Sequence, residues 1–146
     1  MAHSGAIDNT PQQRAFTPTA LDHVSVTTSD LPGTAAKWAT ALGLSPVDAS
    51  EHDGARIAKI PAHNAYIALT HPLSSDGAIA AAMAERGQGM HAVAIAVDDI
   101  DEAVRDLRLK GVEISDPAPG REPGTRVASI AKASANGVPV VLVQRS

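Results

Sequence analysis

The sequence predicts an α+β fold built from two copies of a βαβββ module. Three observations lead to this prediction: strand-like alternation of residues, two capped helices with apolar stripes, and the return of the whole pattern further along the chain. Val24 corresponds to Val93 and Asp30 to Asp99, and both pairs are 69 positions apart. A fixed offset of this kind indicates an internal repeat of about 55 to 60 residues.

The first module is predicted to follow a tail over residues 1–16, which has no apolar period. Residues 21–28 alternate as a β-strand does. A helix follows, with Asp30 as its N-cap, Pro32 in its first turn and Gly43 at its end. Its apolar stripe consists of Leu31, Ala35, Trp38 and Leu42. Three short strands are then predicted at residues 44–47, 55–60 and 65–69.

The second module follows an Ala-rich connecting helix that we expect over residues 74–87. It begins with a strand at residues 90–97 and continues with a helix capped by Asp98 or Asp99, with Glu102 placed for a capping box. The remaining strands are predicted at residues 112–115, 126–131 and 138–144. We therefore predict one domain over residues 17–146, divided into module one at about 20–73, the connecting helix at about 74–88 and module two at about 89–146.

Composition excludes several classes of protein. The chain has 146 residues, of which 44% are hydrophobic and 19% charged, as in an ordinary soluble domain. It has no cysteine, which rules out disulfides, thiolate metal sites and Cys nucleophiles. The net charge is -4 and the Lys and Arg residues are scattered, so we expect no nucleic-acid partner. Neither a membrane span nor a signal peptide is evident, which makes the cytoplasm the expected location and a membrane partner unexpected.

The two βαβββ units, the opening Asp22-His23-Val24 and residues 87–114 together resemble the vicinal-oxygen-chelate superfamily of glyoxalases, bleomycin-resistance proteins and extradiol dioxygenases. The likeness is strongest to the methylmalonyl-CoA epimerases and runs over residues 21–144. It includes His-Pro-Leu at 71–73, Asp-Gly-Ala-Ile at 76–79 and Ser-Ala-Asn-Gly-Val at 134–138. The resemblance implies that each module folds into a curved sheet and that the two sheets form a cup.

The resemblance also implies a divalent metal at the base of the cup, bound by the first and last strands of each module. His23 occupies the first of four ligand positions. The other three positions fall on Ala68, Ala92 and Val141. Because one imidazole cannot hold a catalytic divalent ion against water, we expect neither a metal nor another cofactor. His91 is one residue from a ligand position, which in a regular strand means the opposite face. The carboxylate that is a base in the epimerases would lie within residues 55–60, which contain no acid.

Strand alternation selects the residues that should face the cup. His23 is the candidate catalytic residue, because an imidazole can donate or accept a proton near neutral pH. The candidate substrate-binding residues are Ser25, Thr27, Tyr66, Ala68, Thr70, Ala92, Ala94 and Val141, with Ala96 and Val143 on the same face. Such a mainly apolar concave surface suits a small molecule. His23 is explained equally well as a relic histidine without a catalytic role, whose ring is hydrogen-bonded to a backbone carbonyl or a neighbouring hydroxyl.

Other polar residues have simpler explanations. Asp22 alternates to the face opposite His23, which argues against a Ser-His-Asp triad. The loop between Arg121 and Arg126 is long enough to act as a lid, although charged loops are usually only solvated. We expect the side chains of Arg56, Lys59 and Lys132 to face solvent, rather than to bind a carboxylate or phosphate at the rim of the cup. Loop or turn roles are favoured for His52, His63 and His71.

Three functions fit these expectations. The first is a metal-independent enzyme that isomerises, epimerises or cyclises a small organic substrate in the cup, with His23 transferring the proton, within specialised biosynthesis. The second is a binding protein that sequesters an apolar compound, although only three aromatic residues are available to grip it. The third is an epimerase of methylmalonyl-CoA or a related thioester with a displaced metal site. The resemblance further implies a homodimer.

Overall fold

Eight strands and three α-helices make up the part of the chain that the computed structural model describes, residues 16–44, 49–52 and 54–146. The helices are α1 (Leu31–Leu42), α2 (Ala78–Arg86) and α3 (Ile100–Leu109), with a 3-10 helix at Lys132–Ala135. The strands are β1 (Pro18–Thr27), β2 (Ser50–His52), β3 (Ala55–Ala62), β4 (Ala65–Pro72), β5 (Gly89–Val97), β6 (Ala118–Pro119), β7 (Thr125–Ile130) and β8 (Val140–Arg145). This content confirms the predicted α+β class.

All eight described strands belong to one sheet, in the order β2-β3-β4-β1-β5-β8-β7-β6. At its centre β1 and β5, the first strands of the two modules, pair antiparallel. The last strand of each module lies parallel to its first, with β4 beside β1 and β8 beside β5. The two halves are thus arranged alike, as the repeat predicts, and the curled sheet of two βαβββ units is confirmed.

Local side-chain chemistry sets where the helices begin and end. The carboxylate of Asp30 accepts a hydrogen bond from the Gly33 amide at 3.1 Å, and α1 ends at Gly43, whose φ of 67° is left-handed. Asp99 caps α3 by accepting from the Glu102 amide at 3.1 Å. The Glu102 carboxylate pairs with Arg105, three residues further along α3. No helix in the described ranges is long and apolar enough to cross a membrane.

One predicted strand is wrong, and another falls mainly outside the described residues. Residues 112–115 make only an isolated bridge, between Ile114 and Ile130, and the edge strand of module two is the two-residue β6. Pro117 and Pro119 lack backbone donors, which keeps pairing at this edge short. Residues 45–48 of the strand predicted at 44–47 lie outside the description, and β2 is found further along the chain.

Helices α1 and α3 pack on one face of the sheet through two apolar clusters. The cluster under α1 consists of Val26, Leu31, Ala58, Ile60 and Leu69, with Trp38 packed against it. The cluster under α3 consists of Val97, Ile100, Ala103, Val104, Ile114, Ala128 and Leu142. Because side chains alternate along a strand, the neighbours of these core residues, such as Ser25 and Ala68, project from the other face. That other face carries the candidate site.

Candidate functional site

A cavity of about 320 Å³ opens on the face of the sheet opposite α1 and α3. Most of the residues expected in the cup line it: His23, Ser25, Tyr66, Ala68, Thr70, Ala92, Ala94, Val141 and Val143. Thr27 does not line the cavity and is a correction to that expectation. It pairs with Gly89 at the end of β1, and its buried hydroxyl donates to the Gly89 carbonyl oxygen at 3.2 Å. Ala96, near the opposite end of the β1 and β5 pairing, is also absent from the lining.

A β-bulge in β1 places Asp22 on the same side as His23. Leu21 pairs with Ile95 of β5 and His23 pairs with Ala94. Asp22 is therefore an extra residue without a partner on β5, and an extra residue breaks the alternation of side chains. The Asp22 carboxylate meets the imidazole of His23, with 2.6 Å between Oδ2 and Nδ1. The expectation that Asp22 faces away from His23 is wrong for this reason.

A second bulge, in β5, brings His91 to the cavity. Ser25 of β1 pairs with Ala92 and Val26 pairs with Met90, so His91 is the extra residue. Both His91 and Ala92 line the cavity, which two adjacent residues of a regular strand would not do. The expectation that His91 lies on the opposite face is therefore also wrong.

The Asp22 carboxylate fixes the tautomer and the orientation of His23. A carboxylate can only accept, so Nδ1 of His23 carries the hydrogen and Nε2 holds the free lone pair of the neutral ring. The ring also stacks on Tyr66, with 4.7 Å between ring centroids and 15° between planes. Burial alone would raise the pKa of Asp22, but hydrogen bonds from Arg145 and His23 hold that pKa below its usual value. Asp22 is thus a fixed negative charge behind the imidazole.

Arg145, at the end of β8, holds Asp22 in place. Its Nε donates to Oδ1 of Asp22 at 2.8 Å and its Nη2 to Oδ2 at 2.9 Å. This two-point contact suits the planar guanidinium and the planar carboxylate. The third nitrogen, Nη1, donates to Oε2 of Glu122 at 3.1 Å. Arg145 therefore joins the imidazole pair on β1 to the loop before β7.

Glu122 pins that loop to the cavity wall. Its Oε1 accepts from the Tyr66 hydroxyl at 2.8 Å and lies 2.6 Å from the Lys59 ammonium. Burial would raise the pKa of Glu122, but hydrogen bonds from Lys59, Tyr66 and Arg145 lower it to about 2. Burial and the Glu122 carboxylate raise the pKa of Tyr66 well above its usual value. Glu122 stays ionised and Tyr66 stays protonated at neutral pH, so neither side chain is suited to move a proton.

The imidazole of His91 contacts a cation, Arg86, whereas the imidazole of His23 contacts an anion, Asp22. Its Nδ1 lies 3.2 Å from Nη2 of Arg86, at the end of α2. Burial lowers the pKa of His91, and the positive charges of Arg86, Arg121 and Lys132 lower it further. The two cavity histidines are therefore held in different electrostatic surroundings.

Sequence reasoning missed five residues of this site: Asp22, Lys59, His91, Glu122 and Arg145. A signal existed for one of them, because Arg145 continues the alternation of Val141 and Val143. The Glu122 loop carries no periodic signal.

The match to a family model covers residues 20–141 and is to the Glyoxalase/Bleomycin resistance protein/Dioxygenase superfamily. The chain belongs to this superfamily. The resemblance inferred from the two modules is thereby confirmed. The cavity lies over the paired strands β1 and β5, where the two modules meet.

Within the superfamily the chain is similar to methylmalonyl-CoA epimerases. It is 34% identical over 130 residues to the mitochondrial methylmalonyl-CoA epimerase of Bos taurus, a match that covers 86% of this chain and 67% of the bovine protein. The crystal structure of methylmalonyl-CoA epimerase from Mycobacterium tuberculosis is 29% identical, with a TM-score of 0.82 and 94% of each chain covered. A variant of the Streptomyces coelicolor enzyme in complex with 2-nitronate-propionyl-CoA is 25% identical, with a TM-score of 0.82 over 89% of this chain and 96% of that one.

The residues present do not fit the divalent metal that the superfamily resemblance implies. Three of the positions assigned to ligands present only hydrocarbon to the cavity: Ala68, Ala92 and Val141. In the described part of the chain, no three His, Asp or Glu side chains converge as metal ligands would. Glu122, whose side chain lines the cavity, is already paired with Lys59 and Arg145. Only His23 supplies a donor at these four positions, and one donor does not make a catalytic metal site.

Proposed function

We propose that the protein is a metal-independent enzyme that isomerises or epimerises a small carbonyl compound by removing and returning a proton on carbon. The observation that carries this proposal is the contact between Asp22 and His23, whose imidazole lines a cavity of about 320 Å³. An imidazole whose Nδ1 is bound to a buried carboxylate presents a basic Nε2, which is the group that proton abstraction requires.

Each charged neighbour of His23 has a part in this chemistry. When Nε2 takes a proton, the ring becomes positive, and the fixed charge of Asp22 stabilises it. Arg145 keeps that carboxylate ionised and in place through two hydrogen bonds. Tyr66, stacked on the imidazole, limits its rotation. General base catalysis of this kind contributes about 10²- to 10⁴-fold to a rate.

The relatives suggest the first substrates to test. The similar proteins are named methylmalonyl-CoA epimerases, and one of the similar structures holds methylmalonyl-CoA. In such a compound the hydrogen on the carbon next to the thioester carbonyl is the one that a base removes, because the resulting charge is shared with the carbonyl oxygen. We therefore propose a 2-substituted acyl thioester as the substrate class.

Exchange of that hydrogen for deuterium tests the proposal without a coupled assay. The protein is incubated with racemic methylmalonyl-CoA in D₂O, and loss of the proton at carbon 2 is followed by ¹H NMR. We expect catalysed exchange in the wild type and a loss of at least about 100-fold in His23→Gln. His63→Asn is the matched control, because His63 is exposed at φ 55°, a conformation that Asn tolerates. Its exchange rate should equal that of the wild type.

Two results would contradict the proposal. Exchange that survives in His23→Gln would show that another group is the base. Exchange that dialysis against EDTA abolishes, and that Mg²⁺ or Co²⁺ restores, would show that a metal does the work.

A further inference from the structure

We propose that His91 is a second catalytic residue, a neutral hydrogen-bond donor that holds the carbonyl oxygen of the substrate while His23 removes the neighbouring proton. This inference rests on the proposed function and adds to it the group that stabilises the intermediate. It also narrows the substrate to a compound with a carbonyl directly attached to the reacting carbon.

The contact with Arg86 sets the tautomer of His91. A guanidinium has only donors, so Nη2 of Arg86 donates to Nδ1 of His91, 3.2 Å away. Nδ1 is then the unprotonated nitrogen, and the single hydrogen of the neutral ring is on Nε2. In His23 the order is reversed, because Asp22 accepts from Nδ1. One cavity therefore contains a basic Nε2 and an Nε2 that carries a hydrogen.

Burial and the cations around His91 lower its pKa, which favours the neutral ring, and the cations favour negative charge beside it. They come from three elements: Arg86 from α2, Arg121 from the loop before β7, and Lys132 from the 3-10 helix. Glu85 lies 3.8 Å from Lys132 and offsets part of that charge. Protonating His91 among these cations is unfavourable, whereas an oxyanion at the same place is stabilised.

The placement of the two histidines suits a small substrate between them. His23 of β1 is level with Ala94 on the neighbouring β5, and His91 is three residues from Ala94 along that strand. Three residues of strand span about 10 Å. Both side chains line the same cavity, so a carbonyl group and its neighbouring carbon have room between the two rings.

The resulting reaction is balanced without an oxidant or a reductant. Nε2 of His23 takes the proton as the C–H bond breaks, and the electron pair of that bond forms a C=C bond. The π electrons of the carbonyl move onto oxygen, and this oxyanion accepts the hydrogen bond from Nε2 of His91. A neutral imidazole is too weak an acid to give up its hydrogen, so it remains a donor throughout. The electrons then return and His23 gives the proton back to carbon; the configuration inverts when the planar enolate has turned its opposite face to the imidazole, and hydrogen exchange with retention results when it has not.

The tautomers can be measured directly by NMR on the full-length protein labelled with ¹⁵N in histidine. Two-bond ¹H–¹⁵N correlations at neutral pH should assign the hydrogen of His91 to Nε2 and that of His23 to Nδ1. Arg86→Met should remove the preference of His91 and leave His23 unchanged. A protonated His91 ring at pH 7, or a hydrogen on its Nδ1, would overturn the proposal whatever the substrate is.

Kinetics and ligand binding test the role itself. His91→Leu should lower kcat for deuterium exchange into methylmalonyl-CoA by about 10²- to 10³-fold, the usual effect of losing one oxyanion donor, with little change in KM. His91→Gln retains a neutral N–H and should recover at least about tenfold of that loss. The nitronate 2-nitronate-propionyl-CoA, a planar anion like an enolate, should bind His91→Leu about 10- to 100-fold more weakly than the wild type.

The outcomes separate this inference from the proposed function. Loss of exchange in His23→Gln together with full exchange in His91→Leu would overturn the role of His91 and leave His23 as the base. Equal weakening of methylmalonyl-CoA and of the nitronate in His91→Leu would also overturn it, because the residue would then bind substrate and intermediate alike. Retained exchange in His23→Gln would contradict the proposed function instead.

Discussion

Replacing Arg145 by Met should lower the free energy of unfolding and disorder the imidazole of His23, the proposed base. The change keeps the length of the side chain but removes two hydrogen bonds to Asp22, at 2.8 and 2.9 Å, and one to Glu122. The side chain of Asp22 is 8% exposed, so water cannot replace the lost partner. Each hydrogen bond to a charged group contributes about 1.5 to 3 kcal/mol. Arg145 is 40% exposed, which discounts the sum, and we expect a loss of about 2 kcal/mol.

Urea unfolding of wild type and Arg145→Met measures that loss. For a chain of this size a loss of about 2 kcal/mol lowers the urea midpoint by about 1 M. The matched control is Arg126→Met, because Arg126 makes the same two-point contact with Asp101, at 2.8 and 3.1 Å, but on the open surface. Its midpoint should stay close to that of the wild type, since exposed pairs contribute little.

The loss in Arg145→Met should also depend on pH. Arg145 and His23 hold the pKa of Asp22 below its usual value, and the pKa of Glu122 is about 2. A carboxylate with a lower pKa in the folded than in the unfolded state contributes stability that is complete above the unfolded pKa, about 4, and disappears as pH falls through the folded pKa. The difference between variant and wild type should be full at pH 7 and should shrink between about pH 4 and pH 2. A difference that is constant with pH, or an equal loss in Arg126→Met, would refute the charge network as its cause.

Two further substitutions test the same network from its ends. Asp22→Asn should lower the rate of deuterium exchange at least about 100-fold while His23 remains in place, because the imidazolium loses its counter-charge. Asp22→Glu keeps the negative charge, and an exchange rate as low as that of Asp22→Asn would contradict this explanation. Glu122→Gln should lower the pKa of Tyr66 from its raised value toward the usual one, because a negative neighbour is removed. Tyr66 is the only tyrosine in the chain, so absorbance at alkaline pH reports it alone, and an unchanged titration would rule out the contact.

Much of the fold was predictable because the repeat doubles the signal. The sequence of each module independently shows a strand, an N-cap and the apolar stripe of a helix. The fixed offset between Val24 and Val93 shows that the two patterns are copies of one repeat. The failure at residues 112–115 has a physical origin, since prolines at 117 and 119 interrupt pairing without changing the apolar pattern. Periodicity finds the side chains that pack, and it is weak at sheet edges where few side chains do.

The site was predictable as far as alternation holds. Alternation places Ser25, Ala68 and Ala94 on the cavity face, and they line the cavity. A bulge adds one residue and leaves the alternation on either side intact, so nothing in the apolar pattern marks Asp22 or His91 as turned inward. The Glu122 loop is fixed by ionic partners from other strands, and such long-range pairs are invisible in a single sequence.

The bulges at Asp22 and His91 also explain why two similar modules place different side chains at one repeated position. Asp22 and His91 occupy equivalent places, one in the first strand of each module, and each is a bulge residue of its strand. At one place the extra residue is an acid that puts the hydrogen of a neighbouring histidine on Nδ1. At the other it is itself a histidine, whose hydrogen Arg86 directs to Nε2. Hydrocarbon occupies three of the four assigned ligand positions, whereas the two bulge residues supply an acid behind His23 and a histidine in the cavity lining. The proposed division of labour, a base on β1 and an oxyanion donor on β5, follows from that difference at one repeated position.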